Sequence, residues 1–347
     1  DFPPVAPEFH HRTHRVRLRN LGTTDKKSSH KIRYRKIPKE HKNEKEQKMS
    51  TQKTRVAGHM AAIFTMLIWG TTFISTKVLL ESLSPLEILV LRFVAGYIFL
   101  WLIRPVPLKL KSVKEELIMV VAGITGIGIY YLLENIALTM TQASNVSVIV
   151  SVAPIFTGIM AHFFLDGEKM KKSIVAGFIC AMLGICLITF QKGEKLELNP
   201  VGDFLGLAAA AIWGVYSVCT RKIGGFGYDT IVTTRRTFFY GILFMLLALP
   251  FMDFHLQVPA LLQPVNLANV IYLGIGASAI CFVTWNYAVK SLGATKASVY
   301  IYGIPVVTIL MSIPLLHEVI TLQAMAGTVL TLAGLLISEW PFSANKK

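Results

Sequence analysis

The side chains in this 347-residue sequence that could do chemistry are polar groups set inside long apolar runs. Arg92 and Arg236 each fall about seven residues into such a run, roughly 10 Å deep at 1.5 Å of rise per residue. A guanidinium at that depth faces protein or water and is paired. It either binds the carboxylate of a solute or ties its own helix to backbone carbonyls. Asn135 and Asn286 lie within apolar runs, and each amide offers two donors and an acceptor to a polar solute or to a neighbouring helix. Trp69 and Trp213 stand near the centres of their runs, away from the headgroup belt where membrane tryptophan concentrates. They are expected either to wall a central cavity or to pack against a glycine of another helix.

Lys77 and Glu134 are opposite charges near one end of their runs, placed to form a gate that opens when the pair separates. Proton coupling through Glu134 is a further option, and two side chains reaching independently for the interface are the plainer one. Pro154 and Pro305 each remove a backbone hydrogen bond at mid-run, which suits a hinge or frees carbonyls of the preceding turn to face a cavity. Ser147, Ser151, Tyr300 and Tyr302 lie beside those kinks and are expected to meet solute.

Catalytic and cofactor chemistry is harder to place. The sequence holds no H-E-x-x-H, no pair of aspartates within a run and no G-x-x-x-x-G-K-[ST] phosphate loop, and Asp203 and Asp229 fall at run ends. Cys180, Cys186, Cys219 and Cys281 all sit in apolar surroundings without C-x-x-C spacing, so they read as buried free thiols rather than zinc ligands or disulfides. No catalytic residue, metal site or cofactor is expected, and the expected partners are a small-molecule substrate and lipid.

Those side chains need elements to position them. Hydrophobic residues make up 53% of the chain and charged ones 16%, with a mean hydropathy of +0.54, whereas a soluble domain carries about 25% charged residues. The isoelectric point of 9.7 hints at nucleic acid, but the apolar runs beyond residue 58 are too long and numerous for a nucleic-acid module. Residues 1 to 48 alone hold 14 Lys and Arg against 6 Asp and Glu. Residues 1 to 57 lack apolar periodicity and are expected to form a disordered basic tail. Met49 begins a short polar lead into the first run and is the expected physiological start, with residues 1–48 upstream of it.

Apolar segments near 59–80, 85–103, 116–138, 144–165, 172–190, 202–222, 229–250, 267–289, 295–316 and 321–340 predict an all-α membrane protein of ten transmembrane helices. Continuous rather than alternating runs exclude a β-barrel. Basic residues in the short connections divide thirteen against two: Arg104, Lys109, Lys111, Lys114, Lys169, Lys171, Lys172, Arg221, Lys222, Lys290, Lys296, Lys346 and Lys347 oppose Lys192 and Lys195. Both termini are therefore expected on the cytoplasmic side of a bacterial inner or plasma membrane.

The two halves repeat. Ile68-Trp69-Gly70 recurs as Ile212-Trp213-Gly214, Thr76-Lys77 as Thr220-Arg221 and Arg92 as Arg236. Asn135, Ala137 and Pro154 recur as Asn286, Ala288 and Pro305, and Glu168, Gly177 and Gly184 as Glu318, Gly327 and Gly334. Repeats at 59–190 and 202–340 with five helices each enter the bilayer in opposite senses. Such inverted repeats are one way to build alternating access around a midplane site. Gly177, Ala181 and Gly184, with Gly327, Thr331 and Gly334, form small-residue stripes that join either the two halves or two protomers of a homodimer.

The paired Ile-Trp-Gly, Leu91-Arg92-Phe93, the two mid-run prolines and Gly167-Glu168 together resemble the EamA-type branch of the drug/metabolite transporter superfamily over residues 59 to 340. The second half departs from that pattern with His317-Glu318 in place of Gly-Glu. The resemblance implies a secondary carrier of small metabolites, foremost an exporter of amino acids or related compounds. Multidrug cation export and sugar or nucleotide-sugar transport stand as alternatives, and an intramembrane enzyme is disfavoured.

Overall fold

Unbroken apolar runs bury their backbone polar groups only by satisfying them within the segment, and here they do so as helices. The structure, a computed structural model, describes residues 39–140, 143–189, 199–252, 254–316 and 322–339. The chain divides into two units, residues 1–47 and 48–347. Of the first, Lys39 to Gln47 are described, as helix, so regular structure starts within the tail read as disordered from its composition. Lys, Glu and Gln dominate that stretch and are good helix formers even without an apolar face. Residues 1–38, Glu318 with its neighbour His317, and the basic residues Lys192, Lys195, Lys346 and Lys347 lie outside the described residues.

The regular structure of the membrane unit is helical, with no strand among the described residues. Helix α1 (Lys39–Leu80) carries the first span, α2 (Pro85–Ile103) the second, and α3 (Val113–Gly123) with α4 (Tyr130–Met140) the third. The fourth is α5 (Ala143–Val150) and α6 (Ala153–Phe164), and the fifth is α7 (Lys172–Thr189). The second half repeats the plan: α8 (Pro200–Gly225), α9 (Thr230–Ala248), α11 (Pro264–Ile271) with α12 (Cys281–Leu292), then α13 (Ala294–Ser298) with α14 (Ile304–Leu316), and α15 (Leu322–Glu339). A short α10 (Val258–Leu261) fills the longer connection in this half. Six of these spans are long and apolar enough to cross a bilayer as single helical stretches, and shorter apolar helices make up the others.

Local chemistry sets the helix starts. Ser84 accepts from the Glu87 N–H while Glu87 reaches back to the Ser84 N–H, with Pro85 in the first turn. Asp229 accepts from the N–H groups of Ile231 and Val232, which explains a carboxylate at that run end.

The interruptions are also duplicated. The third span passes through a π-helical segment, Ile124–Ile129, and the eighth through Tyr272–Ile280. The fourth span breaks just before Pro154, and the ninth passes through a 3₁₀ segment, Val299–Gly303, just before Pro305. Helix α8 packs against α3, α4, α5, α6 and α12, so the first span of the second repeat is wrapped by the first repeat.

The small-residue stripes meet each other, α7 against α15. A Cβ placed on Gly184 would stand 2.6 Å from the Gly327 carbonyl, and one on Gly334 would stand 2.6 Å from that of Gly177. They therefore join the two halves of one chain.

The basic connections gather at one end. The Arg221 guanidinium donates to the Lys290 carbonyl at 2.7 Å, and the Lys111 N–H donates to the Tyr228 hydroxyl at 3.0 Å. Glu168 sits at the same end and holds four groups of the second repeat. It accepts from the N–H groups of Ala294 (3.1 Å) and Thr295 (3.0 Å), from the Thr295 hydroxyl (3.1 Å) and from Arg221 Nε (2.8 Å). The helix that Glu168 caps is thus α13 of the other repeat, not α7, which follows it in sequence.

Candidate functional site

Between the middle of the bundle and the end opposite the basic connections lies a cavity built from both repeats. Trp69, Thr72 and Phe73 of α1, Tyr130, Tyr131 and Glu134 of α4, and Ser147, Val150 and Ser151 by the break of span four supply most of its wall. Trp213 of α8 with Ile301 and Ile304 of span nine closes it. The cavity volume is about 30 Å³. That is room for a few waters, at about one per 10–15 Å³.

Trp69 and Trp213 meet there edge to face, with centroids 5.4 Å apart. The Trp69 indole donates to the Ala277 carbonyl at 2.9 Å, whereas the buried Trp213 indole nitrogen has no hydrogen-bond partner among the described residues. Gly70, which follows Trp69, allows α14 to approach: a Cβ there would lie 2.4 Å from Val307 Cβ. Trp69 thus stands in the cavity wall, while Gly70 beside it gives close packing against α14.

Ser147, Val150 and Ser151 share a face through i, i+3 and i+4 spacing. The Ser151 hydroxyl donates to the Ser147 carbonyl at 2.7 Å. Pro154 has no N–H to offer the Val150 carbonyl four residues earlier, as its position at a break requires.

Glu134 is the ionisable acid of the cavity. It is 6% exposed, and its Oε2 is buried with no hydrogen-bond partner among the described residues. No Lys, Arg or His lies within 4 Å of its carboxylate among the described residues. The gate expected between Lys77 and Glu134 is not formed. Lys77 is exposed and donates to the Leu138 carbonyl at 2.9 Å, because the last turn of a helix leaves carbonyls that an ammonium can satisfy.

Other expected site residues stand elsewhere. Arg92 is 2% exposed but does not line the cavity. It stacks over Tyr131 at 4.5 Å and Phe93 at 5.2 Å, and its Nε donates to the Ser278 hydroxyl at 3.0 Å. Tyr131 therefore stands between this guanidinium and the cavity. Arg236 pairs with Glu116 at 2.7 Å on a half-exposed face of α9, far from its sequence image. Inversion of the repeat puts the two arginines in different halves of the bilayer, and helix rotation sends one inward and the other towards α3.

Asn135 donates to the Pro85 carbonyl at 3.2 Å and ties span three to the start of α2. It follows Glu134 by one residue, about 100° round the helix, and so faces away from the cavity. Asn286 lines a second, smaller cavity with Thr220, Thr233, Thr237 and Lys290, nearer the basic end. Its amide donates to Thr234 at 2.9 Å and accepts from the Tyr216 hydroxyl at 2.7 Å.

Tyr300 and Tyr302 miss the cavity because their segment is 3₁₀. With three residues per turn, Ile301 and Ile304 share the cavity face and their neighbours point elsewhere. The Tyr300 hydroxyl bonds His59 Nδ1 at 2.6 Å, and Tyr302 packs against Phe178 of α7. Pro305 occupies the second position of α14, matching Pro154 in α6.

Tyr130, Tyr131, Thr72 and Phe73 were missed from the sequence. Tyr130 and Tyr131 carry a retrospective signal: they immediately follow the glycine-bearing segment Ile124–Ile129, which turns out π-helical, a feature common at functional sites. Beyond them, Trp285, Phe282 and Tyr216 form an aromatic cluster with Trp213 that joins this cavity to the one holding Asn286.

Comparison with known proteins agrees with this architecture. The EamA-like transporter family profile matches twice, at residues 56–190 and 200–340. An uncharacterized transporter of Archaeoglobus fulgidus is 27% identical over 286 residues, covering 81% of this chain and 96% of its own length. A second from the same organism is 30% identical over 276 residues, covering 79% and 95%. A probable terminal-alkyne amino-acid exporter of Streptantibioticus cattleyicolor is 26% identical over 278 residues, covering 80% and 91%. A solved structure superposes with a TM-score of 0.66 at 21% identity, covering 83% of this chain and 97% of its own, a likeness of fold. With two tandem five-helix repeats closing on one shared cavity, the chain belongs to the EamA-like transporter family, multi-pass membrane proteins that move small molecules.

Proposed function

We propose that the protein is a secondary carrier of amino acids or related small metabolites, working as an exporter by alternating access between its inverted repeats. The observation that carries this reading is the central cavity, walled by Trp69 of one repeat and Trp213 of the other in the same motif. A ligand held there touches both halves, so their relative tilt decides which compartment it meets. The contacts of Glu168 with Arg221, Ala294 and Thr295 bind the repeats together at the basic end, which the distribution of Lys and Arg assigns to the cytoplasm. Both termini are cytoplasmic in this reading, in a bacterial inner or plasma membrane. The relative named for a terminal-alkyne amino acid supports the amino-acid class.

Multidrug cation export is the second reading, favoured by one observation: the charged group in the cavity is the carboxylate of Glu134. Counterflow in proteoliposomes tests the transport reading. Protein reconstituted without ATP is expected to exchange labelled amino acids or amines against the same compound inside. No exchange across a broad metabolite panel, with correctly folded protein, overturns it.

A further inference from the structure

Among the described residues that line it, the cavity has one carboxylate and no cation. We propose that Glu134 is the group that recognises substrate, and that the preferred substrate is an ammonium compound with an apolar or aromatic body and no carboxylate. The inference rests on the cavity being the transport site; within the class of amino acids and related metabolites it selects amines that lack the carboxylate, against free amino acids.

Three observations converge on it. The first is an unsatisfied acceptor: Glu134 Oε2 is buried with no hydrogen-bond partner among the described residues, inside a cavity its own side chain lines. A carboxylate oxygen withdrawn from water is costly to leave unpaired, and an ammonium brings both charge and donors to it. The second is the wall. Trp69, Trp213, Tyr130 and Tyr131 present aromatic rings, whose faces attract a desolvated cation and pack against an apolar body. The hydroxyls of Thr72 and Ser151 stand on the same wall as further acceptors.

The third is the position of the nearest deep cation. Arg92 stacks on the rings of Phe93 and Tyr131 and donates through Nε to Ser278; its Nη2 is buried with no hydrogen-bond partner among the described residues, but the side chain stands behind Tyr131 and does not line the space. A substrate carboxylate would meet no cation on the described wall of the cavity, and the cost of burying that second charge there counts against zwitterions.

Binding can be read without transport, because Trp69 and Trp213 stand in the wall and report a ligand by their fluorescence. The full chain in detergent would be titrated with 2-phenylethylamine, phenylalanine amide, phenylalanine and 3-phenylpropanoate at about pH 6.5, where both amines are protonated. The amine and the amide are expected to bind about tenfold more tightly than phenylalanine, with no response to 3-phenylpropanoate.

Glu134→Gln is expected to weaken amine binding about tenfold or more, and Glu134→Asp to retain most of it. Should Glu134→Gln fail to fold, Glu134→Asp against the wild type with the same four ligands decides the matter through the amine-to-acid preference. Equal binding of phenylalanine and its amide, preference for the acid, undiminished affinity in Glu134→Gln, or no response to any amine each overturns the proposal. Amine binding without counterflow would leave it standing while removing the transport reading. Counterflow of an organic anion without amine binding would do the reverse.

Discussion

Two arginines read from the sequence as equivalents part company in the structure. Arg92 is enclosed by Phe93, Tyr131 and Ser278, so its removal strips a desolvated cation–π contact worth about 2 kcal/mol and leaves a gap among close-packed rings. Arg236 makes a half-exposed ion pair with Glu116, of a kind worth about 0–1 kcal/mol. Arg92→Ala is therefore expected to lower folded protein in the membrane severely, with flux falling in proportion. Arg236→Ala should leave both nearly unchanged. Quantifying abundance alongside flux checks this, and flux lost well beyond abundance in either variant would restore a substrate-binding role to that arginine. What was legible here was depth and residue type, which single out Trp69, Trp213, Ser147, Ser151 and Glu134. Azimuth was not legible. Asn135 lies one residue from Glu134 and Arg235 one from Arg236, yet Arg235 turns inward to stack on Trp101 at 3.7 Å while Arg236 faces Glu116. One residue is about 100° on a helix, and choosing between adjacent polar residues requires knowing the neighbouring helices.

At the scale of elements, the sequence announces apolar length well and departures from α geometry poorly. Pro154 and Pro305 mark the broken spans because a missing N–H and a fixed φ are visible in the residue itself. The π-helical segments Ile124–Ile129 and Tyr272–Ile280 carry no such token, and the 3₁₀ segment Val299–Gly303 is what removed Tyr300 and Tyr302 from the cavity. The small-residue stripes were readable as packing surfaces, but their partner was not, since the same pattern serves a dimer or an internal contact. With α7 laid against α15, the stripes set how closely the fifth span of each repeat approaches the other. Gly184→Val would place atoms where the Thr331 amide nitrogen lies 2.4 Å from an ideal Cβ, and overpacking of this kind typically costs about 1–3 kcal/mol. Thermal unfolding in detergent should show a lowered midpoint for Gly184→Val and for Gly334→Val, with no change in oligomeric state. A loss of dimer at unchanged thermal stability would instead assign the stripe to contacts between protomers.

For the whole molecule, the duplicated plan is not fully symmetric, and the asymmetry says how it closes. The image of Glu134 in the second repeat is Trp285, so the carboxylate half of the site faces one way and an indole fills the corresponding place on the other. The aromatic cluster around Trp213, Trp285 and Phe282 lies on the basic side of the cavity, and beyond it Glu168 clasps Arg221 and the start of α13. In the proposed alternating access, passage of a ligand from the cavity to the basic end separates the repeats there and so releases that clasp, because its donors come from one repeat and its carboxylate from the other. Replacing Glu168 and Thr295 by cysteine and joining them with a short, reducible bifunctional reagent should hold that end shut. Counterflow in proteoliposomes is expected to stop on bridging and return on reduction, while binding measured by tryptophan fluorescence persists, since the cavity lies on the other side of the cluster. Undiminished exchange with the bridge in place would mean that solute passes without separating the repeats at the basic end, and alternating access by their rocking would fall with it.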